Sequence, residues 1–109
     1  MPSVESELAY LQIPRLAAEA TSARSVWLWS ADASRLLWAN AVGAVVFGIS
    51  DVSQSGNLRF APNNPLPAQI ARLAGALPPA GQERLERLRG IGAGLGRPVV
   101  CACSRIVLP

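Results

Sequence analysis

The chain has 109 residues, half of them hydrophobic and 16% charged, with a net charge of +3 and no histidine. That length suits one domain with a modest core, and the composition argues for a folded domain and against disorder. The lack of histidine excludes, within this chain, a phosphoacceptor His, a Ser-His-Asp triad, a Cys-His pair and a His-ligated haem.

No apolar run approaches the roughly 18 residues that a membrane span requires. Glu5 and Glu7 precede any Arg, opposite to the basic start of a signal peptide. Both observations predict a cytoplasmic chain with no membrane partner. The ten basic residues are all Arg and are scattered, with Glu83 and Glu86 interleaved among Arg84, Arg87 and Arg89. A nucleic-acid binder concentrates its charge in a patch or stripe, so a solvated face is the preferred reading and no nucleic-acid partner is expected.

Residues 1–24 read as an N-terminal helical segment. Val4, Leu8 and Leu11 recur on one helical face, with Ser3 as cap and Glu5 and Glu7 at the positive end of the dipole. Pro14 lacks an N–H and restricts Ile13, so it ends one helix and opens a second that carries Leu16.

Trp27–Trp29 and Leu36–Trp38 are bulky runs separated by Ala31-Asp32-Ala33-Ser34, the pattern of two antiparallel strands and a tight connection. Asn40 is a good N-cap for a short helix in which Val42, Val45 and Val46, with Phe47 beside them, predict an apolar face. Gly48 stops that helix, because glycine tolerates the left-handed conformation that commonly ends helices.

The run from Asn40 to Ser50 resembles PAS domains. In that family an Asn follows the second strand, small residues face inward, and a Phe-Gly pair closes the helix before an aliphatic or aromatic residue and a Ser. The Trp27-x-Trp29-Ser30-x-Asp32 pattern is similar to the first strand and turn of PAS modules at the front of bacterial sensor histidine kinases. The resemblance covers residues 25 to about 108.

Past Gly48 the chain turns polar, with a helical turn possible in 50–56 and a brief extended piece at 57–60. Pro62-Asn63-Asn64-Pro65 is a breaker cluster. Leu66, Ile70, Leu73, Ala74 and Leu77 then repeat at helical spacing up to Pro78-Pro79. From Gln82 to Arg89 the residues alone slightly favour a helix, since Glu83 and Arg87 are four apart. The resemblance implies the opposite: a strand over 82–91, a connection over 92–97, and a return strand over 98–108. Val99, Val100, Cys101, Ile106, Val107 and Leu108 suit that return strand on their own, with Pro98 at its start.

Chemistry-bearing residues are sparse. Glu19, Asp32 and Asp51 read as isolated acids. Cys101 and Cys103 leave the same face of a strand, but two ligands are too few for structural zinc and the geometry is poor for a disulfide, so buried free thiols are the preferred reading. The alternating glycines from Gly90 to Gly96 do not satisfy G-x-G-x-x-G and suit a hairpin connection. No metal site and no cofactor is expected. Photosensory PAS relatives bind flavin through a cysteine on the helix after the first hairpin, where this chain has none.

The expected fold is α+β: a PAS-like antiparallel sheet flanked by short helices, over residues 25–109, behind the helical segment 1–24 and lacking the family's last strand. The resemblance implies a sensory and dimerisation module of a two-component histidine kinase, non-catalytic itself, with downstream kinase domains and a second copy as partners. An unidentified small molecule would meet Leu28, Leu37, Phe47, Ile70, Leu73, Cys101 and Cys103, with the strand parity open. Leu8, Leu11, Trp27, Trp29 and Trp38 are the candidate dimer contacts. The alternatives are a ligand-free assembly domain and, less favoured, an Arg-rich nucleic-acid binder.

Overall fold

The computed structural model describes residues 10, 13–49, 58–60, 62–78, 82–91 and 97–106. It is a mixed α+β chain in two compact units, one of Met1–Ser30 with Ser34–Arg59 and the other of Ala31–Ala33 with Phe60–Pro109. Among the described residues the strands pair as two two-stranded antiparallel sheets, where the sequence predicts one sheet.

The first unit begins with α1, Pro14–Glu19, with proline at its start and Leu16 buried, as Pro14 predicts. Strands β1, Trp27–Trp29, and β2, Leu36–Ala39, form the expected hairpin. Its connection is closed by Ser30 N–H donating to the Arg35 carbonyl at 3.0 Å and by Arg35 N–H donating to Ser30 Oγ at 3.0 Å. Ala33 within it has φ +61°. A left-handed alanine costs roughly 1–2 kcal/mol, so the surrounding bonds impose this turn.

The register pairs Trp27 with Ala39, Leu28 with Trp38, and Trp29 with Leu36, leaving Leu37 as the extra residue of a bulge. A bulge inverts the alternation of side chains beyond it. Leu36 and Ala39, three residues apart, therefore share the face of Trp27 and Trp29, while Leu28 and Trp38 take the other. The three tryptophans, grouped as candidate dimer contacts, do not lie on one face.

Helix α2, Ala41–Val46, follows at once. Its end has both bonds of a Schellman cap: Gly48 N–H donates to the Val45 carbonyl at 2.9 Å and Ile49 N–H to Ala44 at 3.0 Å, with Gly48 at φ +73°. The buried residues of α2 are Gly43 and Ala44, whereas Val42 and Val45 are 39% and 72% exposed. Of the face predicted from spacing, Val42 and Val45 thus point outward, while Val46 and Phe47 are half-buried. Small side chains face inward because the strands approach too closely for larger ones.

The second unit contains α3, Leu66–Ala76. Leu66, Ile70, Leu73 and Leu77 are buried at the predicted helical steps, each worth roughly 1.5–3 kcal/mol of apolar burial. Leu77 is extended at ψ 145°, as a residue before proline must be. Strands β3, Arg84–Leu88, and β4, Val99–Cys103, pair from Arg84 with Cys103 to Leu88 with Val99. The slight helical preference of 82–89 is overruled by this pairing, and the return strand ends at Cys103, short of the predicted 98–108 span. Residues 104–106 and 58–60 are irregular.

Candidate functional site

The first unit is assembled on Asn40, which is 2% exposed. Its Oδ1 accepts from Gly43 N–H at 2.8 Å, as an N-cap should, and also from Val26 N–H at 3.1 Å. Its Nδ2 donates to the carbonyls of Glu19 at 2.9 Å and Arg24 at 2.7 Å. One amide therefore joins the end of α1, the chain entering β1 and the start of α2. All of its side-chain hydrogen-bonding capacity that matters in a buried position is used.

Beside this junction, Trp27 Nε1 donates to the Gly43 carbonyl at 2.8 Å. Phe47 lies edge-on to Trp27 and Trp29, with ring centroids 5.6 and 5.9 Å away. Such contacts contribute about 0.5–1.5 kcal/mol each beyond their burial. The three rings are half-buried and pack against the core of Leu36, Ala39 and Ala44 together with Ile49 and Leu58. This aromatic face is the candidate recognition surface of the first unit.

Of the expected ligand-contact residues, Leu28, Leu37 and Phe47 belong to the first unit and Ile70, Leu73, Cys101 and Cys103 to the second. Phe47 joins the aromatic group, but Leu28 sits on the opposite strand face and Leu37 in the bulge. Trp27 and Trp29, expected at an outer contact, instead form the face toward α2. Trp38 is buried, and Leu8 and Leu11 lie outside the described residues.

In the second unit two side-chain amides went unnoticed in the sequence. Gln69 pairs with the backbone of Arg89 as another strand would: Nε2 donates to its carbonyl at 2.8 Å and Oε1 accepts its N–H at 3.1 Å. Asn64 Oδ1 accepts from Leu66 N–H at 2.9 Å, opening α3, while Nδ2 reaches the Gly90 carbonyl at 3.3 Å. Gly90 has φ +93°, and a Cβ there would run into Asn64 Oδ1. Only the breaker character of the 62–65 cluster hinted at this site.

Glu19 is not the isolated acid expected, since its Oε1 meets Arg24 Nη2 at 2.7 Å. Asp51 lies outside the described residues. Cys101 and Cys103 are free and half-buried on one face of β4, not fully buried. Burial pushes the Cys101 thiol up, and burial followed by the neighbouring Cys101 and Glu86 pushes Cys103 up to about 11. Among the described residues no three His, Cys, Asp or Glu side chains converge as metal ligands, and no helix is long and apolar enough to cross a membrane.

No family model matches the chain, and no curated protein or solved structure matches it either.

Proposed function

We propose that this chain is a regulatory module of the PAS type in a cytoplasmic two-component sensor histidine kinase, acting as a homodimer and making no bonds itself. The observation that carries this reading is the Asn40 junction. A hairpin runs through a buried Asn into a six-residue helix with small residues inward and a Phe47-Gly48 closure, in the order that the family uses. A ligand or partner would act by repacking the aromatic face against α2. It must bind two arrangements of that face unequally, otherwise nothing is transmitted.

The test is autokinase activity of the intact gene product carrying Phe47→Ala or Leu73→Gln, with folding monitored by circular dichroism. Altered signalling output from folded variants is expected. Unchanged output from folded variants would sink the sensory role.

The assembly reading has its own support in Leu85 and Val100, which are 71% and 61% exposed on one face of the second hairpin. Light scattering on a Leu85→Lys variant separates the two: an assembly domain loses its dimer and its signalling together.

A further inference from the structure

We propose that Cys101 and Cys103 form a two-coordinate site for a soft monovalent metal ion, with Cu(I) as the chemical type. The two thiols project from the same face of β4, are free, and are half-buried rather than sealed in the core.

Residues two apart on a strand are separated by about 6.6 Å, and their Cβ atoms run parallel. A disulfide needs Cβ atoms about 3.8 Å apart, so the strand holds the pair away from oxidative closure. A linear dithiolate is less demanding. Two metal–sulfur bonds of about 2.3 Å place the sulfurs about 4.6 Å apart, a span that rotation of both side chains toward one another reaches without bending the backbone. Thiolate softness selects Cu(I) over hard cations, and with only two ligands the site cannot complete the tetrahedron that zinc prefers.

The facing strand brings one cation and one carboxylate to the same face. Arg84 is paired in register with Cys103 and Glu86 with Cys101, so both point to the thiol face. Arg84 Nη2 contacts Glu86 Oε1 at 2.8 Å. When the ion binds, each sulfur gives its proton to solvent and donates a lone pair to copper, which stays Cu(I). Two protons leave and the complex carries one net negative charge, beside an Arg84–Glu86 pair that is itself neutral. The site is independent of the regulatory role proposed above.

The experiment is a titration of the reduced, oxygen-free full chain with Cu(I) held by a competing chelator such as bicinchoninate. One Cu(I) per chain is expected, with a thiolate-to-copper absorption band and release of two protons. Cys101→Ser and Cys103→Ser should each weaken binding about 100-fold or more, because removing one thiolate removes the chelate advantage. Zn(II) under the same competition should not be retained. Unweakened binding in either folded variant, equal retention of Zn(II), or one ion shared between two chains overturns the site. Proton release is read on the unsubstituted protein, so release of fewer than two protons overturns it even if the serine variants do not fold.

Discussion

Trp27 donates its indole N–H to the Gly43 carbonyl at 2.8 Å, and this brings α2 so close to β1 that a Cβ on Gly43 would stand 2.6 Å from the Val26 carbonyl oxygen. Two effects then oppose each other in Gly43→Ala. Helix propensity favours alanine by about 1 kcal/mol, while overpacking against a backbone atom that cannot swing aside costs about 1–3 kcal/mol or more. The steric cost should win, lowering stability by about 1–2 kcal/mol in urea denaturation. Gly75 in α3 is the control, since a Cβ there meets nothing within 4 Å. Gly75→Ala should raise stability by about 0.5–1 kcal/mol, and the two variants moving in the same direction would contradict the close approach.

Asn40→Ala leaves four backbone groups without their side-chain partner. At about 1 kcal/mol net for each bond, the loss is about 4 kcal/mol, a large share of the 5–15 kcal/mol that holds a typical domain together. Asn40→Asp is more informative. It keeps an acceptor for Val26 and Gly43 but turns an oxygen toward the Glu19 and Arg24 carbonyls. Ionisation is then disfavoured in the folded state, so its folded pKa lies above the unfolded value of about 3.9. Between those two values the native state holds a proton that the unfolded state has lost, so stability falls as pH rises. Denaturation midpoints of this variant relative to the parent should worsen from pH 4 toward pH 8, the reverse of ordinary acid unfolding.

The residues that were legible in the sequence are those whose role is local. Asn40 as cap, Gly48 as stop, Pro14 as helix start and the Leu66-Ile70-Leu73-Leu77 stripe each follow from chemistry within a few positions. What escaped depends on partners distant in the chain. The bulge at Leu37 reverses the strand parity, which the sequence leaves open, and puts Leu36 and Trp38 on opposite faces. Val42 and Val45 are outermost because the inner surface must be Gly43 and Ala44, a demand made by Val26 and Trp27. The strand at 84–88 is set by pairing with 99–103 across a connection that local charge spacing does not sense.

Gln69 tests the same point in the second unit. Its amide occupies both the N–H and the carbonyl of Arg89, and its Nε2 also reaches the Pro65 carbonyl at 3.1 Å. The bonds are exposed, so their net worth is near the low end, about 1–2 kcal/mol for the set. Gln69→Ala should lower stability by that amount and speed hydrogen exchange of the Arg89 amide in particular. If Arg89 exchanges as before while amides throughout the unit lose protection, the bidentate pairing is not what Gln69 provides.

The thiols give a second pH dependence with a definite sign. Burial first, then Cys101 and Glu86, lift Cys103 from its ordinary 9.0 to about 11. Because the folded pKa is the higher one, the native state keeps its proton over that interval while the unfolded chain releases it. The contribution of this thiol to stability is therefore intact below pH 9 and is lost toward pH 11. Reactivity should follow. At pH 8 a shift of this size lowers the thiolate fraction about 100-fold, but a more basic thiolate is a better nucleophile with a Brønsted slope of about 0.4–0.5, which restores about tenfold. Iodoacetamide should thus alkylate Cys103 about ten times more slowly in the folded chain than in urea. In a Cys101→Ser variant, where one of the lifting charges is gone, the alkylation profile of Cys103 should move to lower pH. A profile that stays in place would mean Cys101 does not lift its neighbour, and equal rates in the folded and unfolded chain would mean the β4 face is more open to water than its geometry indicates.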